Sequence, residues 1–243
     1  MLKKDIKKPD QRASRGPRTV KTNPSQLLDA AQAVFAREGL EGGGVRAIAR
    51  EAGCDPSLLY YHFENKEAIF EAILDRKFAL LLPDLKAVED SYNNQLSTAD
   101  MATTNDQDCS PLQEALRQIL MVFRKHVKDD VGFRNMVRWG VAASKKFALD
   151  EILFNHFSPA MQIIGKMLIG GIESGELRKD INIPMTTFFF VRTYIDVLDF
   201  FPTLTIKFIQ MPPEEAIELA ENQWFRLFWA GIANLSKIAG ANQ

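Results

Sequence analysis

The sequence predicts an all-α fold, on three observations. Apolar residues recur at helical spacing from residue 24 onward, no stretch joins period-two alternation to hairpin turn signals, and helix start and stop residues bound the periodic stretches. With 243 residues and 46% hydrophobic content, the chain can bury a real core, either as one large domain or as a small domain joined to a larger one.

The first helix opens with Asn23 as N-cap, Pro24 at the first helical position and Gln26 placed to complete a capping box. Leu27, Ala31, Val34 and Phe35 share one face, and Gly39 ends the helix. A second helix over Val45–Ala52 turns Val45, Ile48, Ala49 and Ala52 inward, and Gly53 supplies a left-handed exit. Asp55 then caps a third, with Pro56 in its first turn and Leu59 and Phe63 inward. Two short helices across a tight glycine turn make a helix-turn-helix.

A fourth helix, from about Lys66 to Val88, carries Ile69, Ile73, Leu74, Phe78 and Leu81, with Pro83 a candidate kink, and joins two domains. Ser91 to Ser110 is polar with few large apolar residues and reads as a mobile loop. Helices resume over Pro111–Lys128, Asp130–Lys146, Asp150–Ser174 with a break at Ser158-Pro159, Pro184–Phe201 and Pro213–Ile238. The expected organisation is a flexible basic arm over 1–23, a three-helix helix-turn-helix domain over 24–66, and a larger helical domain over 67–243, containing the 91–110 loop.

Charge is unevenly spread. Residues 1–23 hold eight basic side chains against Asp5 and Asp10, a net of +6, while the whole chain is −1. Such an arm suits a polyanion, although basic ends are also common as solvated tails. No apolar stretch follows it as in a signal peptide, and the longest apolar runs are interrupted, as at Lys166, before reaching membrane-spanning length. The expectation is a cytoplasmic protein without membrane association. Cys54 and Cys109 read as free thiols.

The run Val45-Arg-Ala-Ile-Ala-Arg-Glu-Ala-Gly-Cys-Asp-Pro-Ser-Leu-Leu-Tyr-Tyr-His-Phe-Glu-Asn-Lys-Glu-Ala-Ile-Phe70 resembles the DNA-binding signature of the TetR family of bacterial regulators. The matching pieces are Ile48-Ala49, Ala52-Gly53, Leu59-Tyr60-Tyr61-His62-Phe63 and Asn65-Lys66-Glu67. The resemblance is specific over about residues 24–78 and beyond that rests on length and helical layout. Gly42-Gly43-Gly44 departs from the Thr-rich entry often found in the family, which removes a hydroxyl that often touches phosphate, and Cys54 stands where Val is common.

Helical geometry supports the same assignment. At about 100° per residue, Ser57 and Tyr61 lie opposite the inward Leu59, with Leu58 and Tyr60 on the flanks and His62 turned partly inward. A serine hydroxyl can read a base edge, a leucine can meet a thymine methyl, and tyrosine hydroxyls can reach phosphates. The resemblance places DNA contacts at Arg46, Ser57, Leu58, Tyr60, Tyr61, His62 and Lys66. Aromatics at helical spacing also commonly pack a small core, and that reading stays open for Tyr60, Tyr61 and His62.

For the remainder, the resemblance implies a homodimer through the last two long helices, here using Phe188, Tyr194, Ile195, Leu198, Trp224, Leu227 and Phe228, and hence a palindromic operator in double-stranded DNA. It also implies a pocket for a small, largely apolar effector between the middle helices, with candidates Phe123, Trp139, Phe154, Met161, Phe189 and Tyr194. Arg134 and Arg138, one turn apart, could hold an acidic group of such an effector, or form a solvated face. His126, His156, Asp196 and Asp199 could orient a ligand, though no spacing marks them.

No Gly-rich phosphate loop, nucleophile motif or metal-ligand spacing occurs, so neither an enzyme nor a cofactor or metal site is expected. The expectation is a repressor released by its effector; the alternative is an architectural DNA-binding protein without one.

Overall fold

The computed structural model describes residues 23–99, 110–208 and 210–234. These form α1 (Pro24–Gly42), α2 (Val45–Ala52), α3 (Pro56–His62), α4 (Lys66–Ala99), α5 (Pro111–Val127), α6 (Val131–Ala142), α7 (Ser144–Phe147), α8 (Asp150–Glu173), α9 (Ile183–Phe208) and α10 (Pro213–Ile232). Among the described residues no sheet occurs; the extended pairing between Leu177 and Ala233 is an isolated bridge. The fold is all-α, a helix-turn-helix cluster followed by a helical bundle. Nearly all of the basic arm, Cys109 and the end of the last expected helix lie outside the described residues.

The N-terminal caps form as their residue types require. The Asn23 side chain accepts from the Ser25 N–H, and the Gln26 side chain accepts from the Asn23 N–H. Gly39 has a φ of 66°, a left-handed conformation that breaks the helical path of α1 three residues before its end. Gly53, at φ 65°, turns the chain from α2 into α3 while its N–H satisfies the carbonyls at the end of α2.

Leu27, Ala31, Val34 and Phe35 of α1 pack with Ile48, Leu59 and the start of α4 at Ile69, Phe70 and Ile73. The same buried cluster runs on along α4 into the C-terminal bundle, through Leu85, Leu116, Ile119 and Ile164 to Phe190. α4, about 50 Å long at 1.5 Å per residue, is therefore a spine common to both ends of the molecule. It packs on α5 and α8, while α6 packs on α1 and α10 on α9.

Three readings of the sequence are corrected here. The polar segment expected as a loop from residue 91 is helical through Ala99, because Tyr92 is buried and Leu96 packs against the core, an anchored face with few apolar members. The Ser158-Pro159 pair does not break α8, whose interior contains Pro159 between the packed Phe157 and the buried Ala160. The helix expected over 130–146 is instead two, α6 and α7, parted at Ala143.

One close approach ties α6 to the spine. A Cβ on Gly140 would lie 2.5 Å from Phe70 Cζ, with the ring itself fully buried. Gly140→Ala is expected to destabilise the protein by about 1–3 kcal/mol through overpacking, measurable as a lowered midpoint of urea unfolding.

Candidate functional site

The inner face of the helix-turn-helix is sealed and its outer face is free. Ile48, Ala49 and Leu59 are buried, which fixes α2 and α3 against α1 and α4. The Asp55 carboxylate opens α3 by accepting from the Ser57 N–H at 2.8 Å and from the Ser57 hydroxyl at 2.6 Å. Those hydrogen bonds hold its carboxyl below the usual range.

Tyr60 is 63% exposed and Tyr61 82% exposed, so neither packs in a core. Ser57, His62 and Arg46 are exposed too, and Leu58 is half-buried against the core. His62 was expected to turn partly inward; its ring instead lies at the surface, edge to face with Tyr61 at 5.0 Å between centroids. Arg50, one turn on from Arg46 and exposed, is a residue the sequence reading passed over, although the i, i+4 spacing marks the pair as one basic face.

Lys66 is the exception. Its ammonium donates to the Leu40 carbonyl at 2.8 Å and sits 4.1 Å from the Phe147 ring centroid. It ties the start of α4 to α1 and α7. At the entry to α2, Gly44 is the N-cap and provides no side-chain bond to the first turn.

A groove of about 910 Å³ runs between α6, α8 and α9. It continues into an inner chamber of about 90 Å³ reaching Phe78, Leu81, Phe123 and Phe133. The inner chamber takes Phe157 and Met161 from α8 with Val191 and Ile195 from α9, whereas the groove extends to Gly165 and Ile169 with Ile183 and Thr187. Early residues of α8 thus face late residues of α9, and the two helices run antiparallel.

Of the residues expected to hold an effector, Phe123, Arg134, Arg138 and Met161 line the inner chamber, and Arg138, Phe154 and Met161 line the groove. Three others are placed elsewhere. Trp139 is 51% exposed on the opposite side of α6, against Gly39. Phe189 is exposed, in edge contact with Phe188, and lines neither cavity. Tyr194 is buried with its hydroxyl 2.7 Å from the Glu221 carboxylate and 3.2 Å from the Leu120 carbonyl; burial, then that carboxylate, push its phenol far up.

The two arginines are already answered. Both pair with Asp199, and Arg134 also donates to the carbonyls of Val127 and Lys128 while Arg138 donates to Asn135. His126 and His156 join helices through Asp84 at 2.7 Å and Asp75 at 2.9 Å, and Asp196 pairs with Arg192.

Two residues expected at a dimer interface, Phe188 and Ile195, line the groove within the single chain. Leu198 is buried within the chain, and Trp224 and Phe228 stack at 5.4 Å in an aromatic cluster with Phe190. Leu227 is exposed, as is Leu219 two turns before it on α10. Among the residues the sequence reading missed in the groove are Phe157, Thr187, Val191 and Arg192; Phe157 lies four positions before Met161, and the three on α9 lie eight, four and three positions before Ile195, a helical spacing that could have found them.

Among the described residues, no group of three or more His, Cys, Asp and Glu could hold a metal, and no helix is long and apolar enough to cross a membrane.

Residues 27–73 match the family model described as bacterial regulatory proteins, tetR family. The chain is 34% identical over 167 residues to the HTH-type transcriptional regulator UidR of Escherichia coli (strain K12), covering 67% of this chain and 73% of that protein. It is 25% identical over 161 residues to the HTH-type transcriptional repressor KstR2 of Rhodococcus jostii, covering 66% and 71% of the two. The structure of the ketosteroid transcriptional regulator KstR2 of Mycobacterium tuberculosis superposes with a TM-score of 0.59 at 20% identity, over 89% of this chain and 97% of that one, a likeness of fold.

Proposed function

The chain belongs to the TetR family of bacterial regulatory proteins and is a transcriptional regulator, and from that premise we propose that it is a repressor that binds a palindromic operator as a homodimer and is released by a small, largely apolar effector. The observation that carries the DNA-binding part is the exposure of Tyr60 and Tyr61 on a short helix whose other face is sealed by Leu59. Large aromatics are left this open at a surface that another molecule covers.

Residues 24–66 read the DNA. Tyr61 and Ser57 approach the major-groove floor, Tyr60 and His62 the flanking phosphates, and Arg46 the backbone on the far side. Lys66 holds the helix-turn-helix against α1 and α7 and reaches phosphate only by leaving the Leu40 carbonyl. Two copies related by a two-fold axis, paired through the exposed faces of α9 and α10, make the operator palindromic. The repressor sense draws support from the R. jostii relative, which is named as one.

Release follows from the two faces of α6. Val137, Arg138 and Val141 line the groove, while Gly140 and Trp139 on the other side touch Phe70 and Gly39. Gln32 of α1 donates to Asp130 at 2.8 Å, and Lys77 of α4 pairs with the same carboxylate. An effector that favours a different seat for α6 moves α1 with it, and the two recognition helices lose their match to successive grooves.

The test is selection of genomic fragments on purified protein. Enrichment of one short palindrome, lost on adding the effector, is the expected result; retention without a shared sequence would replace the proposal with an architectural DNA binder. Deleting residues 1–21 removes a net positive charge and is expected to weaken binding to every sequence and to flatten the slope of log affinity against log salt. An unchanged slope would remove the arm from the interface.

A further inference from the structure

We infer that the groove between α6, α8 and α9 takes an amphipathic organic anion, its apolar body toward the inner chamber and its acidic head at Thr187 and Lys166. The inference rests on the effector reading above and names the ligand class and its orientation. The lining is apolar over most of its length, through Phe154, Phe157, Met161, Ile183, Val191 and Ile195. Its charged members are Arg138, Lys166 and Arg192, three cations, and no Asp or Glu lines it among the described residues. A low-dielectric trough edged by one sign of charge selects ligands of the other sign.

The head is placed by what each polar group already has. Asp199 neutralises Arg134 and Arg138, so an acid at that end would compete with a carboxylate already bound. At the other end the cation is weakly held. Lys166 is 3.9 Å from Glu89, whose other oxygen accepts from Lys86 at 2.7 Å, while Arg192, which lines both groove and chamber, pairs with Asp196 at 3.1 Å.

Beside Lys166 lies an orphan donor. Thr187 is 3% exposed, lines the groove, and its hydroxyl oxygen has no hydrogen-bond partner. A buried hydroxyl without a partner is costly, and a ligand oxygen here would satisfy it. Gly165 packs beside it: a Cβ there would lie 3.7 Å from Thr187 Oγ1, at ordinary van der Waals distance. Gln162, whose amide donates to Ser158 at 3.0 Å, completes the polar end.

Three ten-carbon probes differing in head charge test this on the full-length protein without DNA: decanoate, decanol and decyltrimethylammonium, titrated calorimetrically below their micellar concentrations. Decanoate is expected to bind once per chain, about 10-fold or more tighter than decanol, with the cation weakest, as a charge-assisted hydrogen bond in a sheltered site implies. Thr187→Val is expected to weaken decanoate about 5-fold, the loss of one hydrogen bond, without lowering Tm, since the hydroxyl has no partner in the free protein. Lys166→Gln is expected to erase most of the preference for decanoate over decanol.

A cation that binds as well as decanoate overturns the inference, as does wild-type affinity in Thr187→Val or a full preference that survives Lys166→Gln. No binding of any probe also overturns it, and leaves the operator selection to judge the regulator reading separately.

Discussion

Replacing Tyr61 by alanine is expected to abolish operator selection while leaving the fold and the proposed dimer as they are. The side chain is 82% exposed and its ring neighbour is the exposed His62, so its removal opens no cavity. On DNA, loss of one base or phosphate contact is worth about 1–3 kcal/mol, and a two-fold dimer loses it twice, so specific affinity is expected to fall by about 10²-fold or more. Fluorescence anisotropy on the selected palindrome measures this. Tyr61→Phe separates hydroxyl from ring, and Tyr60→Ala, at the flank, is expected to cost less. A Tyr61→Ala protein that holds its operator at wild-type affinity would remove α3 from the role of recognition helix.

The starts of α1 and α3 and the end of α2 could be read from the sequence because they are decided by local chemistry: Asn23 with Gln26, Asp55 with Ser57, Gly53 at positive φ. Where tertiary packing outweighs local preference, the reading fails. Pro159 stays inside α8 because the residues around it are held by packing, and residues 91–99 stay helical on the strength of Tyr92 and Leu96. The groove was legible in kind but only partly in membership. A 3.6-residue period says that Phe154, Phe157 and Met161 share a face; it does not say whether Trp139 or Val137 turns toward that face, since both sides of α6 carry apolar residues and each packs on something different. Tyr194 shows the limit most clearly, because its hydroxyl is claimed by Glu221, 27 positions away.

Arg134 and Arg138 look equivalent in sequence, one turn apart, and the structure makes opposite demands of them. The Arg134 side chain is 5% exposed and that of Asp199 14%, while Arg138 is half in solvent. Asp199→Ala is expected to strand a buried guanidinium at a cost of about 3–5 kcal/mol, a large part of the ordinary stability of a folded domain. At about 2–4 °C per kcal/mol for a chain of this size, the melting temperature should drop by about 6–20 °C. Arg138→Ala, which breaks only an exposed pair, is expected to cost about 1 kcal/mol or less. Arg134→Met tests the direction of the dependence: it removes the buried charge while Asp199 keeps Arg138, so its loss should be smaller than that of Asp199→Ala, even though the Val127 and Lys128 carbonyls lose a donor. If Asp199→Ala instead melts like wild type, the guanidinium has found water, and these two arginines become available to a ligand acid after all. The decanoate titration on that variant would then show a second, tighter anion site at the inner end of the groove, whereas a large fall in melting temperature with no new site confirms that Asp199 belongs to the scaffold that joins α9 to α6 and α5.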